Sequence, residues 1–155
     1  MLSVGTISRL QVDAYDTSQA KEQSRYFLTI QPVHFLPAAH KIEVEFPTTG
    51  NYITLNSGPC SITQATGALI IGEAQCSIEG NSVVVSNTFG ATGSFSKGDA
   101  AFGFLFDSGG INPERTCGSM HFTVRTFATI DGVDYSVDYY SFNSIVDVPP
   151  RFLAF

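Results

Sequence analysis

Tryptophan is absent from this chain, charge is scarce, and no long apolar run occurs. Each absence closes off a class of function. Without tryptophan, a flat platform for stacking sugars lacks its usual builder. Charged residues make up 14% of the sequence, against roughly a quarter in an average soluble domain, and the net charge is -6. The few Lys and Arg residues are scattered, so the clustered basic surface that neutralises phosphates is missing and no nucleic acid is expected as a partner. No apolar stretch approaches the roughly 20 residues of a membrane-spanning helix, so no membrane insertion is expected. The opening residues also lack the charged start and apolar core of a signal peptide. Met1 then begins either a cytosolic protein or a fragment of a longer precursor, and the cysteines and the two ends favour the fragment.

Helix periodicity is missing as well. In its place apolar residues alternate with polar ones: Leu10, Val12 and Ala14; Tyr26, Leu28 and Ile30; Ile42, Val44 and Phe46; Ala74, Cys76 and Ile78; Phe102, Phe104 and Phe106; Phe122 and Val124; Val133, Tyr135, Val137 and Tyr139. Side chains of a strand point alternately to its two faces, so each run reads as a strand with one buried and one wet face. Many such strands, separated by Gly, Pro, Asn and Ser clusters, define an all-β fold of two stacked antiparallel sheets, a β-sandwich. With 155 residues the chain can bury roughly two thirds of its unfolded surface in one domain, without a metal or a dense disulfide framework. The domain is expected over residues 1–148. Residues 149–155 then form a Pro-Pro junction and an apolar C-terminal tail.

Local punctuation refines the layout. Two prolines make Pro32 to Ala39 a crossing loop. Gly80-Asn81 and Asp131-Gly132 read as hairpin turns. Thr88 to Gly98 is a small-residue loop with Phe95 its only anchor, and Asp107 to Gly118 is expected to be a long loop. Ser61 to Gln75 reads as a strand, a turn near Thr66 and Gly67, and a second strand. Cys60 and Cys76 would then stand opposite one another, either as a disulfide or as two buried thiols. The composition of an exported protein favours the disulfide. Cys117 is left over, as a cross-link to another chain or a protected thiol.

Chemistry is thin. Cys117, Met120 and His121 have the residue types of a copper loop in the wrong order, and alternation sends Met120 and His121 to opposite faces. Asp131, Asp134 and Asp138 fall in the last hairpin, where solvated carboxylates are expected in preference to a calcium site. Ser18 to Lys21 and Ser94 to Lys97 match the Ser-x-x-Lys spacing by chance, since that chemistry needs a helix start. No nucleophile elbow, phosphate loop or zinc grouping occurs. No catalytic residue and no cofactor is assigned, and the chain is not expected to be an enzyme.

Five pieces stand out: Tyr26-Phe27-Leu28-Thr29-Ile30, Lys41-Ile42-Glu43-Val44-Glu45-Phe46-Pro47, the cysteines Cys60 and Cys76, Gly110-Ile111-Asn112-Pro113, and Phe122-Thr123-Val124-Arg125-Thr126. Together they resemble immunoglobulin-like modules repeated in tandem in large surface and extracellular proteins of protists, notably ciliates. The resemblance runs from about Gly5 to Tyr139 and departs at Cys117 and at the apolar end. It implies an immunoglobulin-like sandwich serving as a structural module of a surface coat, stalk or fibre, with copies of itself or sister modules as partners and an extracellular or cell-surface location. The expected contact is end to end, with Pro149 and Pro150 stiffening the junction and Phe152, Leu153 and Phe155 burying against the neighbour. One alternative is an adhesion module that binds glycans or a host surface through loops Thr48 to Pro59 and Ser108 to Ser119, with Tyr52 and Met120 as contacts. Another is a viral shell jelly roll.

Overall fold

The computed structural model describes residues 7–14, 23–49, 53–90, 93–96, 98–111 and 119–145. Among them every regular element is a strand: β1 (Ile7–Ala14), β2 (Gln23–Pro32), β3 (His40–Glu45), β4 (Thr54–Leu55), β5 (Gly58–Cys60), β6 (Ile62–Thr66), β7 (Gln75–Glu79), β8 (Ser82–Ser86), β9 (Phe102–Ile111), β10 (Ser119–Ile130) and β11 (Val133–Ile145). One sheet runs β1-β2-β9, with β4 and β6 both paired to the far side of β9. The other runs β11-β10-β3-β8-β7-β5. All pairings are antiparallel. This is the all-β sandwich of two antiparallel sheets that the alternating runs imply.

The core follows from the alternation. Tyr26, Leu28 and Ile30 from β2 meet Phe102, Phe104 and Phe106 from β9, and across the gap Ile42, Val44, Val83, Val85, Phe122 and Val124 come from the second sheet, all essentially without solvent contact. Edge-to-face aromatic pairs tie the layers, with Tyr26 against Phe46 at 6.4 Å and Phe89 against Phe102 at 5.0 Å. Gly103 allows the Phe27 ring to cross β9 closely: a Cβ there would stand 2.5 Å from Phe27 Cε1 and 2.9 Å from Thr66 Oγ1.

Two expectations change. Residues 61–75 are not a hairpin, because β6 pairs with β9 in the first sheet, whereas β7 lies in the second. The chain leaves one layer after Cys60, runs along the other, and returns by a turn in which Gly67 adopts φ 73. Asp107 to Gly118 is not all loop either, since β9 continues to Ile111 and there pairs with β2 and β4. The small residues that suggested a loop are compatible with a strand whose partners supply the ladder.

The crossing loop does carry the chain from β2 to β3, that is, between the layers. It is anchored by Leu36, which forms an isolated antiparallel bridge with Phe95 through bonds of 2.9 and 3.0 Å. The anchoring role expected for Phe95 is thus present, and its partner is the crossing loop.

Candidate functional site

Among the described residues, reactive residue types are not gathered. Met120 is 1% exposed while its neighbour His121 faces solvent, so they occupy opposite faces of β10 and do not share a ligand. His40 is buried: its Nδ1–H donates to Pro37 O at 2.8 Å, and its Nε2 accepts from the Thr88 hydroxyl at 2.8 Å. Burial pulls its pKa below the ordinary histidine value, against the smaller opposing pull of the Pro37 and Ala38 carbonyls. Among the described residues, no three His, Cys, Asp or Glu side chains are grouped to hold a metal ion.

The aspartates of the last hairpin part company. Asp134 accepts from Thr129 Oγ1 at 2.7 Å in the open. Asp138, expected to be solvated, is instead fully buried. The cause is a β-bulge between Thr126 and Phe127, which slips the β10–β11 register so that Asp138 stands opposite Thr126 on the core side. Its carboxylate accepts from His34 Nδ1 at 2.7 Å and from Thr126 Oγ1 at 3.3 Å, and its backbone N–H donates to Thr126 Oγ1 at 2.9 Å. A buried carboxylate is tolerable only with such partners.

Two further devices brace the fold. Cys60 and Cys76 are joined by a disulfide with Cα atoms 5.1 Å apart, directly paired across β5 and β7. Asn81, expected only as a turn residue beside Gly80 (φ 62), donates from Nδ2 to Phe46 O at 3.1 Å and Pro47 O at 2.9 Å and accepts from Leu55 N at 3.3 Å. It holds the end of β3 to the approach of β4. On the outer sheet face Arg125 bonds Glu45 at 2.8 Å, lies 3.7 Å from Glu43 and packs 5.4 Å from the Tyr139 ring; the Glu45 bond chiefly raises its pKa.

The unusual surface is apolar. Phe35, Ile70, Ile71, Ile130, Val133 and Tyr135 are 44 to 56% exposed. All of them stand at one pole. Pro32, His40, Gln75, Ser86 and Phe102 mark that end of their strands, so the loops after β2, β6 and β8 and the β10–β11 tip converge there. The β3 pairing stops at Ala128 opposite His40, so the hairpin overshoots the sandwich. Ile130 pairs with Val133 and Ala128 with Tyr135, which places these apolar side chains on the inner face beyond the point where a facing sheet covers it. The alternating run Val133, Tyr135, Val137 and Tyr139 does not keep to one face: the bulge turns Tyr139 outward beside Arg125, and the overshoot leaves Val133 and Tyr135 exposed.

Beneath the pole the packing is tight. Leu36, Leu69, Phe89 and Phe95 turn inward from the same loops whose neighbours Phe35, Ile70 and Ile71 turn outward. Phe89 lies 5.2 Å from the His40 ring, and Ile70 N–H donates to Thr88 O at 3.0 Å. Of the contacts suggested by sequence, Met120 is core and cannot meet a ligand. Tyr52, Asn112, Pro113, Cys117, Pro149, Pro150, Phe152, Leu153 and Phe155 lie outside the described residues, as does the division at residue 148.

The architecture is thus an all-β immunoglobulin-like sandwich with an apolar pole. No protein-family model and no curated protein sequence matches the chain. Among solved structures it is similar to the collagen-binding domain of a Staphylococcus aureus adhesin, at 14% identity and TM-score 0.44 over 93% of this chain and 99% of that one. It is similar also to BslA, a bacterial hydrophobin, at 16% identity and TM-score 0.47 over 96% of this chain and 100% of that one. A third is the CssB subunit of an enterotoxigenic Escherichia coli colonization factor, complemented with a donor strand from CssA: 13% identity, TM-score 0.37, 90% of this chain and 98% of that one. All three are bacterial proteins, whereas the sequence motifs resembled protist modules.

Proposed function

We propose that the chain is a non-catalytic structural module of an extracellular or cell-surface assembly, joined end to end to copies of itself or to sister modules through its apolar C-terminal segment. One observation carries the reading: among the described residues, six of the eight exposed large apolar side chains stand at a single pole on a firmly packed base, Tyr139 and Tyr140 lying further along β11. Scattered apolar residues are ordinary on a protein surface, but a cluster calls for a partner. The disulfide accords with an oxidising location. In the proposed contact Pro149 and Pro150 stiffen the junction, Phe152, Leu153 and Phe155 bury against the neighbour, and Cys117 is a candidate cross-link. Adhesion to a glycan loses support, since Met120, one of its two contact candidates, is interior.

Deleting Arg151 to Phe155 is the test. Sedimentation of the shortened chain should show single folded particles under conditions where the intact chain assembles. Normal assembly of the shortened chain would refute the proposal.

A further inference from the structure

The geometry points to His40 as an acid-sensitive latch beneath the apolar pole: its neutral ring holds three of the pole's loops together, and a second ring proton parts them. This goes beyond the end-to-end reading and holds whatever partner the pole meets. His40 opens β3 and is 3% exposed. Its Nδ1–H is shared between Pro37 O at 2.8 Å and Ala38 O at 3.1 Å, which ties the crossing loop to the ring. Its Nε2 accepts from the hydroxyl of Thr88, a residue of the loop after β8 that has no solvent contact of its own. Thr88 O in turn accepts from Ile70 N–H at 3.0 Å, so the loop after β6 is held through the same residue. Phe89 lies 5.2 Å from the His40 ring and 6.0 Å from Phe95, which is bridged to Leu36 of the crossing loop.

Protonation leaves this site without a good arrangement. Nδ1 already carries a hydrogen, so a second proton enters at Nε2 and meets the hydrogen of the Thr88 hydroxyl. The hydroxyl can turn to accept, but its own hydrogen then loses its acceptor in the interior. Among the described residues, what faces the ring is uncharged: the Pro37 and Ala38 carbonyls, the Thr88 hydroxyl, the Phe89 ring, and Ala128 opposite His40 on β10. The ionisable groups of the same elements are engaged elsewhere. Lys41 and Arg125 turn to the outer sheet face, over Phe127 and onto Glu45; Glu73 packs against Gly90; Asp99 caps Ser96 N–H; Asp134 is held by Thr129, and Asp131 stands in the open at the hairpin tip. His34 is bonded to Asp138, so a proton there meets a carboxylate. A proton on His40 meets only desolvation, in keeping with a pKa below the ordinary histidine value. The three loops meet through a few isolated bonds, so parting them disturbs less than opening a sheet. Opening admits water to the ring and uncovers Leu36, Leu69 and Phe89, which enlarges the apolar surface in acid.

The test is amide hydrogen exchange of the intact chain, corrected for the intrinsic pH dependence of exchange, from about pH 7.5 down to the onset of acid unfolding. The amides of Leu36, Phe95 and Ile70, each bonded from one pole loop to another, report the latch. Leu28 and Phe104, in the middle of the first sheet, report the whole fold. Protection at the three loop amides should fall at least about tenfold further than at the two sheet amides, with a midpoint that coincides with the titration of the His40 ring followed by NMR. His40→Gln, which stays neutral, should remove the acid response, and His34→Gln should keep it. If His40→Gln does not fold, the ring titration and the exchange of the parent decide. A His40 ring that gains its proton while the loop amides stay protected, or stays neutral while they lose protection, would overturn the inference. Parallel loss at all five amides would make His40 a part of global stability alone and overturn it too. Loss of the response in His34→Gln would move the latch to the His34–Asp138 bond.

Discussion

His34 on the crossing loop donates from Nδ1 to Asp138 on the outermost strand at 2.7 Å, its ring 53% exposed and the carboxylate 0% exposed. The bond ties the loop joining the two layers to the free edge of one of them.

Removing the buried Asp138 or Thr126 group should cost more than removing the half-exposed His34 ring. Asp138→Ala leaves Thr126 Oγ1 a buried donor without its acceptor, a loss of about 1–3 kcal/mol by the usual cost of an unsatisfied group. Thr126→Val should cost a similar amount, because the Asp138 backbone N–H also loses its acceptor. His34→Ala should cost about 1 kcal/mol or less, since water can replace a half-exposed ring. Urea unfolding of the three variants checks the order; a His34 effect as large as that of Asp138 would contradict it.

Asn81→Ala should destabilise by about 1–3 kcal/mol, as the Phe46 and Pro47 carbonyls and the Leu55 N–H lose their partner together. Asn81→Asp should not rescue the loss, because a carboxylate cannot donate to the two carbonyls. Hydrogen exchange at Leu55 should quicken in Asn81→Ala, whereas Asn81→Asp keeps an oxygen to accept that N–H; unchanged protection in Asn81→Ala would remove Asn81 from this role.

Stability should fall on acidification through His40. Burial keeps the ring neutral in the folded chain to lower pH than in the unfolded chain. Above about pH 7 both states are neutral and the residue contributes no pH dependence; as pH drops through about 6.5 the unfolded state gains the proton first, so unfolding is favoured. The measurement is the unfolding free energy at about pH 7.5 and about pH 5.5, where His40→Gln should flatten the slope. An identical slope in the variant would place the titrating group elsewhere.

Replacing both Cys60 and Cys76 with Ser should lower stability by about 3 kcal/mol, the loop-entropy value for a closure of this size. The unreduced monomer should expose at most one thiol to labelling after unfolding, that of Cys117. Three reactive thiols without reductant would show the bond absent from the isolated protein.

The layers and their centre were readable in the sequence because alternation is a direct image of burial. Phe102, Phe104 and Phe106 alternate, and all three are core. Asp138 was illegible because one bulged position reverses the faces, and a bulge leaves no regular mark in the residues that form it. The layer reached by β6 was equally hidden: the turn residues after it suit a hairpin and a crossover alike, and only pairing with β9 decides. The apolar pole was half visible. Val133 and Tyr135 alternate as a strand face does, but how far a hairpin outruns its neighbour depends on the length of β3, a distant segment.

Strand β1 enters at the pole and β11 leaves at the other end, each on the outer edge of its sheet. A pull applied between Ile7 and Ile145 therefore runs parallel to both edge strands. Their ladders are loaded in shear, many bonds at once, instead of being unzipped singly. Links joined in this way would carry tension lengthwise through the whole sandwich, as a load-bearing cable does.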